Sequence, residues 1–182
     1  MHRYLKHILI LFIIVTCSAV TTSFQDRVYP NRPVAMLKSN SGLIAMLEYH
    51  GGYGVANGGV PYSKSFNGVN VLVGYQLNKS FIIAAGTGVS AYHEGSLMPV
   101  FGDMRYTFFF KRIAPFLYGD AGLLMNFYDL SKTRIFLSPG IGARYSISRK
   151  IAINIATGIF VQSGASGEDV FVNLRTGVIY KY

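Results

Sequence analysis

Apolar and polar residues alternate with period two along most of this chain, and the alternation is cleanest at its end. Val170, Val172, Leu174, Thr176, Val178, Tyr180 and Tyr182 form one phase; Phe171, Asn173, Arg175, Gly177, Ile179 and Lys181 form the other. Successive side chains of a β-strand point to opposite faces, so Val170–Tyr182 predicts a strand with one apolar, aromatic-tipped face and one face holding an arginine. The pattern recurs seven times upstream. It predicts strands over Gly42–Tyr53, Phe66–Asn78, Ser80–Tyr92, Leu97–Phe109, Ile113–Asn126, Arg134–Ile147 and Lys150–Gln162. Pro139 has no N–H to give a closed sheet, which predicts a bulge there or a sixth strand whose paired part starts later.

Eight strands of about 10 to 13 residues are long enough to cross a bilayer when tilted. The apolar phases, such as Val69-Val71-Val73-Tyr75 and Ile151-Ile153-Ile155, contain no Asp, Glu, Lys or Arg. A charge on a lipid face costs about 2–4 kcal/mol near the midplane. A water-soluble barrel would invert the phases, with charges outside. The expectation is therefore an all-β, eight-stranded, antiparallel up-and-down transmembrane β-barrel. Asn78-Lys79-Ser80, Phe110-Lys111-Arg112 and Ser148-Arg149-Lys150 are short, basic connections, whereas those at the other end tend to be longer. Short turns then face the periplasm and loops the outside. Tyr75, Phe81, Tyr106, Phe108, Tyr145, Tyr180 and Tyr182 gather at the short-turn rim as an aromatic girdle.

Composition agrees with this picture. Hydrophobic residues make up 51% of the 182 positions and the mean hydropathy is +0.32. Yet no stretch reaches the roughly 18 apolar residues of a spanning helix. The net charge of +9 invites a nucleic-acid reading, but the cations share no face and the N-terminus routes the chain out of the cytoplasm. Residues 1–23 read as a cleaved signal peptide: Arg3 and Lys6, then the apolar run Ile8–Val15, then small residues. Cys17, the single cysteine, lies within it and follows Thr16, where lipidation favours Gly, Ala or Ser. No disulfide and no cysteine metal site follow. Residues 24–41, with Pro30 and Pro33, read as a periplasmic linker, and 42–182 as the barrel.

The inward phases hold three acids and three bases: Glu48, Asp103, Asp120, Arg105, Arg144 and Arg175. Buried charges are tolerated when paired, so these six predict a salt-bridged plug that stabilises the barrel. Closure of the first strand on the eighth puts Glu48 near Arg175. The hairpin of the fourth and fifth puts Arg105 near Asp120 and Asp103. Inward Gly74, Gly86, Gly88, Gly142, Gly158 and Gly177 make room for the arginines and for Phe101, Phe116, Tyr118 and Phe160. His50 is placed to hydrogen-bond in the upper lumen.

Leu97-Met-Pro-Val-Phe-Gly-Asp-Met-Arg-Tyr-Thr-Phe108 resembles the fourth-strand pattern of small outer-membrane β-barrel proteins, and Phe81–Tyr92 is similar to their glycine-alternating third strand. The architecture looks like that of the OmpX and OmpA barrels. The resemblance implies an outer-membrane location in a Gram-negative-type bacterium. It also implies that Val178, Tyr180 and Tyr182 resemble the C-terminal signal read by the barrel-assembly machinery. The expected role is non-catalytic, structural or interactive. Expected partners are outer-membrane lipid, lipopolysaccharide, the assembly machinery and an envelope protein. No cofactor, metal or nucleic acid is expected. Two alternatives remain: a lipid-modifying acyl hydrolase or transferase using the rim pair His93 and Ser96, and a small-solute channel, which needs an open lumen.

Overall fold

The computed structural model describes residues 41–57, 64–93, 95–108, 113–126, 133–164 and 167–182. The predicted leader, and all but the last residue of the predicted linker, lie outside these. Eight strands follow one another: β1 (Gly42–Asn57), β2 (Ser65–Gln76), β3 (Phe81–Tyr92), β4 (Gly95–Thr107), β5 (Ile113–Met125), β6 (Arg134–Ser146), β7 (Ile151–Gly164) and β8 (Gly167–Lys181). Each pairs antiparallel with the next, and β8 returns to β1 to close an eight-stranded barrel. Closure leaves no unpaired edge, the condition for a sheet surrounded by hydrocarbon.

The alternation read from sequence is the alternation of the wall. On β2 the residues are exposed and buried in turn from Ser65 to Val73. Outward Leu174, Ile155 and Val71 are 59, 56 and 51% exposed, whereas Glu48 and Arg105 are 1 and 2% exposed. Glu168, at the tip of β8, is the one Asp, Glu, Lys or Arg at an outward strand position among the described residues. So broad an apolar surface is not what a soluble monomer shows water.

The barrel has a turn end and a loop end. At the turn end, 77–80, 108–112 and 147–150 connect β2–β3, β4–β5 and β6–β7. At the loop end only 58–64 and 126–133 are longer connections; two residues each join β3 to β4 and β7 to β8. The expected length asymmetry is therefore confined to two loops. Both tight connections lead into a glycine of positive φ, Gly95 (146°) and Gly167 (147°), a conformation that side chains rarely adopt. The sheet also runs further toward the loop end than predicted, with β1 reaching Asn57 and β8 beginning at Gly167.

Pro139 causes no bulge and does not delay pairing. Its rung against β5 is intact, and the ladder with β7 omits Ser138 and Pro139 but resumes at Gly140 in unchanged register. Pro99 sits in a similar gap between β3 and β4. A missing donor here costs rungs, not register. The register shift lies instead on β1, between Gly54 and Ala56, against β8.

Inward glycines seat the aromatic rings. A Cβ on Gly142 would stand 2.6 Å from Phe116 Cζ, and one on Gly86 would stand 2.7 Å from both Phe101 Cζ and Leu72 Cγ. Outward Gly102 has nothing within 4 Å of such a Cβ. Gly142→Ala is thus expected to cost about 1–3 kcal/mol by overpacking, and Gly102→Ala to stay within about 0.5 kcal/mol of the parent. Urea midpoints of the folded band on a gel would measure both.

Candidate functional site

The lumen is filled in layers. Next to the turn end lie Ile44, Ile82, Ala152 and Ile179, all buried. Beside them the buried Lys181 Nζ donates to Gln76 Oε1 at 2.9 Å. At the loop end Phe66, Phe136, Phe160 and Phe171 pack ring to ring; Phe136 and Phe160 stack with centroids 5.0 Å apart, and Phe66 meets Phe171 edge-on at 5.2 Å. Above them Tyr92 donates to Gln162 at 3.2 Å, Gln162 to Asp169 at 3.2 Å, and Arg134 pairs with Asp169 at 3.4 Å.

Between these layers sits the charge layer. Arg105 grips Asp103 through Nε (2.9 Å to Oδ1) and Nη2 (2.8 Å to Oδ2). Its Nη1 donates to Glu48 Oε1 at 2.7 Å. Asn154 Nδ2 donates to the same Glu48 oxygen at 2.6 Å. Arg175 pairs with Asp120 through Nη1 and donates from Nη2 to Ser138 Oγ at 2.8 Å. Its guanidinium lies 4.6 Å from the centre of the Tyr118 ring. Charged hydrogen bonds of this kind are strong where water is excluded.

The partners differ from those expected. Glu48 takes Arg105, not Arg175. Register explains part of this: Glu48 lies opposite Gly177 on β8, and Arg175 lies opposite His50. Arg105 lies opposite Tyr118, while Asp103 faces Asp120. The remainder follows from width. In an eight-stranded barrel inward side chains meet near the axis, so β4 reaches β1 and β8 reaches β5. Arg144 is buried and lies 5.8 Å from the Phe116 ring centre. Its Nε and Nη2 have no hydrogen-bond partner among the described residues.

Asn154, Ser138 and Asn173 belong to the charge layer and were not singled out from sequence. Their signal was present: each is polar at an inward position in the middle of a strand. Considering only ionisable residues passes over them. Buried His50 and Ser90 approach at 3.3 Å. With Asn70, Asp120, Arg175 and the surrounding rings they line a cavity of about 10 Å³, the room of about one water. This Ser–His pair resembles a nucleophile and its base, but both residues lie inside the wall beneath the aromatic layer. His93 is exposed in the turn after β3, and Ser96 is exposed on β4 opposite Ala91. No cluster of three or more potential metal ligands occurs among the described residues.

The seven girdle aromatics all lie near the turn end on the outer wall. Tyr106 meets Phe108 and Tyr180 meets Tyr182, each pair edge-on with centroids 5.0 Å apart. Outward Val178 and Tyr180 lie on β8, and Tyr182 follows it, 74% exposed.

No protein-family profile and no curated protein sequence matches the chain. Solved structures do. Neisserial surface protein A superposes with a TM-score of 0.64 at 13% identity, over 79% of this chain and 99% of that one. A de novo designed transmembrane β-barrel gives 0.44 at 17% identity, over 76% and 95%. Ail, the attachment invasion locus protein of Yersinia pestis, gives 0.47 at 11% identity, over 78% and 99%. The likeness to the Neisserial protein is one of fold. With the apolar outer wall and the buried charges, it makes this chain a small eight-stranded transmembrane β-barrel.

Proposed function

We propose that the protein is an integral barrel of the outer membrane of a Gram-negative-type bacterium, with a structural or interaction role and no catalysis. Its turn end faces the periplasm and its loop end the outside. The observation that carries this reading is the filled interior inside a wall whose described outward positions hold no charge but Glu168 at the tip of β8. Salt bridges, rings and glycine-seated side chains occupy the space that a solute or an acyl chain would need. What remains for contact is the surface: the lipid face, the two rims and the loops. Outer-membrane lipid, lipopolysaccharide and an envelope protein are the partners that such a surface meets. The aromatic pattern Val178, Tyr180 and Tyr182 ending β8 suits recognition by the barrel-assembly machinery during insertion.

Membranes made with and without the protein test the role. Lipid mass spectrometry should show identical acyl-chain composition, and crosslinking through the loop end should capture lipopolysaccharide or an envelope protein. Altered acyl chains that depend on His93 and Ser96 would overturn the non-catalytic reading. Planar-bilayer recordings should show no conductance steps, and steady unit steps would overturn the plugged lumen.

A further inference from the structure

The turn end carries a chemistry that the filled lumen does not use. Lys79 lies between β2 and β3, and Arg149 and Lys150 lie between β6 and β7; all three are exposed. Local polar side chains already satisfy the backbone of these turns. Asn78 Oδ1 accepts from the backbone N–H groups of Ser80 and Phe81, both at 2.8 Å. Ser148 Oγ accepts from those of Lys150 at 3.2 Å and Ile151 at 3.0 Å. The cations are therefore not what shapes the turns. Neither of the described segments 77–80 and 147–150 contains Asp or Glu. The loop end is mixed by contrast, with Glu168 and Asp169 beside Lys64 and Arg134 among the described residues.

Position gives this charge its meaning. Lys79 is two residues from Phe81, and Arg149 is four from Tyr145, both outward aromatics of the girdle. Interfacial aromatics mark the headgroup level of a bilayer. Long basic side chains just beyond them extend their charges to the phosphates while their stems lie along the apolar wall. The β2–β3 and β6–β7 turns are half the barrel's circumference apart. The cations thus form a collar and not a single pocket, which suits many small anionic headgroups and not one ligand.

We propose that the turn end is a collar that binds the phosphates of anionic glycerophospholipids in the leaflet it faces. The proposal rests on the membrane reading above. An exposed Lys or Arg near an anionic bilayer surface changes association about fivefold, and salt weakens it.

The test uses the protein reconstituted in phosphatidylcholine vesicles, with spin-labelled phosphatidylglycerol or phosphatidylcholine as the reporter lipid. Electron spin resonance then gives the relative association of each at the protein boundary. Every sample is also run heated and unheated on a gel. Wild type should prefer phosphatidylglycerol by about fivefold or more at low salt. The combined Lys79→Gln, Arg149→Gln and Lys150→Gln variant should bring the preference within about twofold of unity. Lys64→Gln, at the opposite end, should leave it unchanged. A folded, heat-shifting barrel with no preference, or one whose preference survives the triple substitution, overturns the collar and leaves the membrane reading standing. A wild-type protein with no heat-dependent shift overturns both.

Discussion

Arg105→Met is expected to lower barrel stability by about 3–5 kcal/mol, the cost of leaving a buried charge without its partner. Arg105 binds both Glu48 and Asp103, through hydrogen bonds of 2.7 to 3.0 Å. Removing it strands two carboxylates in a layer that water barely enters. The combined Glu48→Gln, Asp103→Asn, Arg105→Met and Arg144→Met variant should recover most of that loss, because the layer then keeps only the ion pair of Asp120 and Arg175. Asn154 keeps an oxygen to which it can donate. The chain has no tryptophan, so urea-dependent loss of the heat-shifting band is a better readout than fluorescence. An Arg105→Met cost below about 0.5 kcal/mol, the range of ordinary surface changes, would mean that the charge layer is open to water.

The second large effect lies on the other face. Ile155→Arg, near the middle of β7, is expected to cost about 2–4 kcal/mol and to impair insertion, while Ile151→Arg at the girdle should cost about 0–1 kcal/mol. Both residues are outward and apolar, 56 and 38% exposed. They differ in depth along the strand, so hydrocarbon separates them and water does not. Insertion into vesicles, followed by the same gel shift, measures the difference. Equal and small costs at both sites would place the wall in water.

The wall was legible in the sequence and the wiring of its interior was not. Ile151, Ile153 and Ile155 need no structure to declare their face, because period two is a local property of a strand. A phase free of charge through strand after strand is likewise a sum of local facts. The partner of Glu48 is not local. It depends on strand tilt and on the stagger accumulated around the barrel, which decide whether Glu48 meets β8 beside it or β4 across the axis. The register shift between Gly54 and Ala56 escaped for a similar reason, since it shows only against β8. Pro139 gave a local signal that the sheet absorbed as two missing rungs. Among the site residues, the six inward charges were visible as charges. The neutral Asn154, Ser138 and Asn173 that join them carry only a weaker mark, a polar residue at an inward mid-strand position, and their partners appear once the layer is assembled.

Labels placed singly along β7 test the inversion of faces most directly. Cys17 is the only cysteine and lies in the predicted leader, so the remainder of the chain accepts one spin label at a time in bilayers. Labels at outward Ile153, Ile155 and Ile159 should collide freely with dissolved oxygen and be shielded from a water-soluble nickel complex. Labels at inward Asn154, Ala156 and Phe160 should be shielded from both. If the nickel complex instead reached the outward labels along the whole strand, the wall would face water and the barrel would not span a membrane.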